Sequence, residues 1–291
     1  MHNHAEKRNV AGLSVLAAIF LTGFKLLIGL LTGSLGILSE ALHSGLDLVA
    51  AVITYFSVRI SDKPADRSHN FGHGKVENLS AFLETILLLI TCVWIIYEAV
   101  HRLATGKTEI DVNVWSYVVV VSSIIIDFTR SRALSRVAKK HNSQALEADA
   151  LHFSTDIWSS SVVLLGLICA NFGFYIADPI AALGVAFIVL FVSFRLGKKA
   201  IDVLLDRNPE STYQKINSIL SGIKEITYFH DIKVRTAGAE TFVEINVHVR
   251  SDLTIQQAHE ISHKVENEIR NAIDRCEVHV HAEPEEESDH S

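Results

Sequence analysis

A chain that packs six long apolar stretches into its first 205 positions cannot fold around one water-soluble core. Each stretch is long enough to cross a bilayer, which takes about 20 mostly apolar residues. They lie at roughly 10–32, 36–60, 78–101, 113–138, 145–171 and 178–204. The first two are separated only by Thr32-Gly-Ser-Leu-Gly36, which reads as a tight turn. Lipid leaves backbone polar groups no partner but one another, so these stretches are read as helices. The first ten residues are polar and the apolar run after them is too long for a signal-peptide core, so no cleavable leader is expected.

Lys and Arg set the orientation. Lys7 and Arg8 precede the first stretch; Lys63, Arg67 and Lys75 follow the second. Arg130, Arg132, Arg136, Lys139 and Lys140 surround the end of the fourth, and Lys198, Lys199 and Arg207 close the sixth. The opposite loops carry only Arg102 and Lys107. An even number of crossings with this distribution places both termini in the cytoplasm of a multi-pass membrane protein.

Inside the apolar stretches sit two copies of one short pattern, His43-Ser-Gly-Leu-Asp47 and His152-Phe-Ser-Thr-Asp156. Each puts an imidazole and a carboxylate at i and i+4, on one face of a helix. Ionisable groups inside a membrane span are costly and face a cavity or a partner. Two such pairs can supply two nitrogens and two oxygens, a closed tetrahedral set for a borderline cation such as Zn²⁺. Counted from the basic ends of their helices, Asp47 is about 13 residues deep and Asp156 about 11. That is roughly 20 and 17 Å, so the two pairs match in depth. Four protein ligands would leave no open position for an activated water, which argues against a membrane zinc hydrolase and for a protein that is not an enzyme.

From 209 onward the periodicity is that of a soluble domain, so the chain divides into 1–208, a transmembrane domain, and 209–291, a cytoplasmic domain with an acidic tail, Glu283-Pro-Glu-Glu-Glu-Ser-Asp289. Glu210–Gly222 reads as a helix, with Ser211 and Gln214 spaced as a capping box. Tyr228–Ala237 and Glu240–Arg250 read as strands about an Ala-Gly hairpin turn, and Cys276–Glu283 as a third. Between them Thr254–Asp274 is a helix opening with a second box, Thr254 and Gln257. The order α-β-β-α-β is a small α+β layer domain. Seven metal-capable side chains fall within it: His230, His248, His259, His263, His279, His281 and Glu283. The three cysteines make no Cys-x-x-Cys, so no thiolate site or disulfide framework is indicated. With no basic patch interleaved with aromatics, nucleic acid is not an expected partner.

Three stretches carry a family resemblance: Ser34-Leu-Gly-Ile-Leu-Ser-Glu-Ala-Leu-His43-Ser-Gly-Leu-Asp47, Phe71-Gly-His-Gly-Lys75-Val-Glu77, and Ala148-Asp-Ala-Leu-His152-Phe-Ser-Thr-Asp156. The chain resembles the cation diffusion facilitators, proton-coupled exporters of divalent transition metals. The resemblance implies a six-helix transmembrane bundle followed by a metallochaperone-like cytoplasmic domain, assembled as a homodimer. It implies a transport site at His43, Asp47, His152 and Asp156, with the His-plus-Asp version similar to the zinc-type set. Fe²⁺, Mn²⁺, Cd²⁺ and Co²⁺ are alternative cargoes, and a membrane metal sensor without flux is an alternative function. It implies a modulatory loop metal site at Asp66, His69 and His73, and an inter-helix salt bridge between Lys75 and Asp206. It also implies regulatory metal in the cytoplasmic domain, where His230, His259, His281 and Glu283 match. Zn²⁺ or a related divalent metal is thus expected as both substrate and regulator, with no catalytic cofactor. The family has a His on the second strand where this chain has Asn246. His248 projects from the same face roughly 6–7 Å further along. Either His248 substitutes, with His279 helping, or the site is weaker or differently built.

Overall fold

The computed structural model describes residues 2–32, 35–105, 114–171 and 177–285. The turn at Thr32–Gly36 and the end of the acidic tail fall partly outside them. Two compact units emerge, Met1–Ile201 and Asp202–Ser291.

The first unit is built from long helices: α1 (His2–Thr32), α2 (Leu35–Ser61), α3 (Lys75–Thr105), α4 (Val114–His141), α5 (Gln144–Asn171) and α6 (Ala177–Leu204). Among the described residues, four of them, α1 to α4, are long and apolar enough to cross a membrane. The unit buries charged and polar groups among small and apolar ones and turns large apolar side chains outward. Leu13, Leu16, Phe20, Leu27, Leu31 and Trp94 point outward, while Lys25, Asp47, Glu77, Glu84, Asp149 and His152 are buried. Water would favour the reverse; lipid favours this one.

Local chemistry sets the helix junctions. Asn142 takes left-handed backbone (φ 51°) between α4 and α5, a conformation Asn tolerates better than most residues. Ser143 beside it accepts the Leu146 amide at 3.4 Å, and its hydroxyl donates to Glu77. Glu77 belongs to the Phe71–Glu77 stretch, and the structure gives it a structural task. It takes the Lys7 ammonium at 2.9 Å and the Ser61 hydroxyl at 2.9 Å, which ties α1, α2, α3 and the α4–α5 turn together. α1 consequently begins well before the apolar run at 10: Lys7 is anchored to Asp62 and Glu77, and Glu6 to Lys140 and His141.

The second unit contains α7 (Glu210–Ser221), β1 (Tyr228–Ala237), β2 (Glu240–Val249), α8 (Ile255–Ala272) and β3 (Cys276–Pro284). The sheet runs β1-β2-β3, antiparallel between the first pair and parallel between the second. Gly238 (φ 61°) makes the hairpin turn. Alternation in β2 sends Val243, Ile245 and Val247 to a core shared with Ile216 and Leu220 of α7, and Val265 and Ile269 of α8. The capping box at Thr254 forms in full. The one at Ser211 does not: α7 is capped by Pro209 without a side-chain bond, so Ser211 already lies inside the first turn, and Gln214 donates to Glu210 instead. Ile269 has no exposed surface. Ile269→Ala is therefore expected to destabilise the second unit by about 2–5 kcal/mol. Faster hydrogen exchange of the β2 amides in the full chain is the readout.

Candidate functional site

The two His/Asp pairs meet. His43 and Asp47 come from α2, His152 and Asp156 from α5. His152 Nε2 lies 3.0 Å from Asp47 Oδ1 and 3.7 Å from Asp156 Oδ2. His43 Nε2 lies 3.6 Å from Asp156 Oδ1 and 3.9 Å from Asp47 Oδ1. Ligands about 2.0–2.1 Å from a tetrahedral ion stand roughly 3.3 Å apart, and these separations bracket that value. Asp47, His152 and Asp156 are buried, while the His43 side chain is about one-third open (32%). Asp156 Oδ2 is buried without a hydrogen bond, so a donor atom is left over for a ligand.

The surroundings hold further charges: the spacing of Asp127 before Arg130 suggests an ion pair from sequence, Glu84 and Glu98 are left unplaced by it, and Asp149 is passed over. Glu84 of α3 is fully buried and accepts from Thr54 and from Ser80 (3.2 Å). Asp149, one turn before His152, is fully buried and accepts the Ser14 hydroxyl at 3.3 Å. Asp127 pairs with Arg130 at 3.1 Å, both buried, and the guanidinium lies 3.5 Å over the Phe153 ring. Glu98 pairs with Arg102 at 2.7 Å on a partly exposed surface. Only contacts between helices reveal these partners, apart from the two pairs at i+3 and i+4, which sequence spacing can suggest.

Asp66, His69 and His73 also converge. His69 Nδ1 is 3.5 Å from Asp66 Oδ1, and His73 Nε2 is 3.5 Å from Asp66 Oδ2. Asp66 does double duty. Its Oδ1 accepts the Ser68 hydroxyl and amide at 2.8 Å each and the His69 amide at 2.7 Å. Those bonds, the Ser68 hydroxyl first, hold its carboxyl well below the usual range. A depressed carboxyl is ionised throughout the neutral range; its bonds stabilise the turn above the unfolded value and are lost only as pH falls through the folded one. Lys75 is the first residue of α3, and Asp206 takes left-handed backbone (φ 55°) just after α6.

In the second unit three side chains form a tight triangle on the sheet face opposite the core. His230 Nε2 and His248 Nε2 are 3.1 Å apart, and Glu283 Oε2 lies 3.3 Å and 3.2 Å from them. The register explains the set: His248 is the cross-strand partner of Glu283, and a bulge between His230 and Lys233, with Asp231 at φ 53°, re-aims His230. Asn246 donates to the other Glu283 oxygen at 3.3 Å. His281 touches that same outer oxygen at 3.4 Å and is 62% exposed. His259 pairs with His263 on α8, Nε2 to Nε2 at 3.0 Å, and does not enter the triangle. His279 faces Glu244 across the sheet.

Residues 12–205 match the cation efflux transmembrane domain model, and 208–285 match the cation efflux protein cytoplasmic domain model. The chain belongs to the cation diffusion facilitator family. It is a membrane protein of a transporter family, with a helical transmembrane domain and an α+β cytoplasmic domain. An uncharacterised transporter of Synechocystis sp. is 34% identical over 281 residues, 95% of this chain and 90% of the relative. The cation-efflux pump FieF of Yersinia enterocolitica is 30% identical over 274 residues, 93% and 90%. Among solved structures, the metal-bound C-terminal domain of the CzcD transporter from Thermotoga maritima is 26% identical. It covers 27% of this chain and 92% of that one, with a TM-score of 0.26.

Proposed function

We propose that the chain exports a divalent transition metal, Zn²⁺ foremost, from the cytoplasm in exchange for protons. The observation that supports this most is the contact between α2 and α5, His152 Nε2 to Asp47 Oδ1 at 3.0 Å. That hydrogen bond needs a proton on Nε2. A metal needs the Nε2 lone pair. Metal and proton therefore exclude one another at the same atom, which is the elementary requirement of an exchanger. An inward proton that takes Nε2 can therefore displace outward metal from it. Two nitrogens and two carboxylate oxygens suit Zn²⁺, while Cd²⁺, Co²⁺, Fe²⁺ and Mn²⁺ stay within reach of such a set.

The transport domain, 1–208 in this reading, has six spans with both termini cytoplasmic. α5 and α6 are 28 residues each, and Trp158, Leu165, Phe187, Ile188, Phe191 and Phe194 are exposed along them, as lipid contact would require. α2 and α5 rock about the fixed site to open it to one side and then the other. The cytoplasmic domain, 209–291, works as a homodimer that binds regulatory metal at His230, His248 and Glu283. Three ligands leave a fourth position for water or a group from the second copy.

Metal uptake into sealed proteoliposomes under an imposed pH gradient tests the function directly. A sensor without flux would give none. The loop has its own test. Asp66→Asn can still accept in the turn but loses the charge; Asp66→Ala loses both. Loop metal affinity is expected to fall about tenfold or more in each. Only the alanine variant should also speed hydrogen exchange at Ser68 and His69.

A further inference from the structure

The transport site has a buried cation beside it. Lys25 of α1 is 3% exposed. Its ammonium donates to Ser44 Oγ at 2.8 Å and pairs with Glu40 Oε2 at 3.1 Å. Among the described residues Glu40 is its one ion-pair partner. Ser44 follows His43 directly and is itself buried, and the Thr22 hydroxyl holds its carbonyl at 2.9 Å. Glu40 stands one turn from His43 on the same face of α2, roughly 4.5 Å along the axis and away from the cytoplasmic end. Its side chain is 35% exposed, as open as that of His43. A third carboxylate thus flanks a four-ligand site on the side where the cargo leaves. Left free, it would add an anionic oxygen to a divalent ion already balanced by two aspartates. A lysine inside a membrane domain is costly, and the cost is explained if it has a task at the site.

We propose that Lys25 is a positioning residue for release: it tethers Glu40 off the exit side of the transport site, so that the cargo meets four ligands and not five. The inference rests on the transport reading above and adds a determinant of turnover to it.

The test is the rate of Zn²⁺ uptake into proteoliposomes as a function of Zn²⁺ concentration. Lys25→Met frees Glu40; KM and kcat are both expected to fall, about tenfold each, because binding tightens and release slows. Adding Glu40→Gln to that variant should bring both back to within about threefold of wild type. Glu40→Gln alone keeps the ammonium and removes its counter-charge, and should move KM the opposite way, upward. Lys25→Arg should behave as wild type. A merely structural lysine would lower kcat without lowering KM, and Glu40→Gln would not rescue it; that result, or a Lys25→Met protein indistinguishable from wild type, overturns the proposal. The single Glu40→Gln variant keeps the test decisive if Lys25→Met does not assemble: an unchanged or lowered KM overturns it. A wild-type protein that moves none of Zn²⁺, Cd²⁺, Co²⁺, Fe²⁺ and Mn²⁺ overturns the transport reading and this proposal together, whereas active wild type with unresponsive Lys25 and Glu40 variants overturns the proposal alone.

Discussion

Asp47→Ala is expected to slow metal flux in proteoliposomes by about 100-fold or more, beyond the 10–100-fold typical of losing a supporting group around a metal. Asp47 is the hub of the site. Its Oδ1 is 3.0 Å from His152 Nε2 on the neighbouring helix and 3.9 Å from His43 Nε2 on its own. Its removal takes away one of four donors and half the negative charge that balances the ion. It also removes the hydrogen-bond partner 3.0 Å from His152 Nε2 and leaves Asp156 as the one carboxylate of the four-residue set beside that imidazole, so the metal-free limb of the cycle suffers too. Asp47→Asn separates the two losses. It keeps an oxygen near the same position but not the charge, and should transport better than the alanine variant while remaining far below wild type. Equal flux in Asp47→Ala and wild type would remove Asp47 from the path.

His43→Asp should change which metal is moved more than how fast metal moves. It converts two nitrogens and two oxygens into one nitrogen and three oxygens. Harder oxygen donors favour Mn²⁺ and Fe²⁺ relative to Zn²⁺ and Cd²⁺. The position is suited to the swap: the His43 side chain is about one-third open, and its Nε2 is already 3.6 Å from Asp156 Oδ1. The rate ratio of Mn²⁺ to Zn²⁺ is expected to rise about tenfold or more, the scale of one changed donor. The added charge also brings three carboxylates together, which slows release of whatever is bound. Metal-by-metal uptake at matched free concentrations reads both effects. An unchanged ratio with both rates lowered equally would mean that imidazole count does not set selectivity.

How much was legible in the sequence depends on how local each signal is. Helix spans were readable within a few residues because hydropathy marks them one stretch at a time. The exception was the start of α1, where Glu6 and Lys7 are held in helix by partners more than 50 residues away. Alternation exposed the faces of β2, and Thr254 with Gln257 showed where α8 begins. The same spacing at Ser211 misled, because Pro209 had already fixed the helix start. Both His/Asp pairs were visible as i, i+4 patterns, and depth matching was computable from spacing alone. What spacing cannot show is pairing between elements. Lys25 with Glu40, Glu84 with Thr54, and Asp149 with Ser14 each join residues from two helices. The cytoplasmic triangle depends on a bulge at Asp231 that no residue pattern announced; it includes His248, which strand alternation had already offered on that face, and leaves His259 with His263.

The central claim is that metal and proton compete for one set of atoms between α2 and α5. Simultaneous recording of Zn²⁺ entry and internal pH in proteoliposomes tests it most directly. In wild-type vesicles each Zn²⁺ that enters should be accompanied by protons leaving, with an imposed proton gradient setting the direction of metal flux. In Asp47→Ala vesicles both signals should vanish together. Zn²⁺ flux that persists with no proton movement, or that ignores the gradient, would contradict the account.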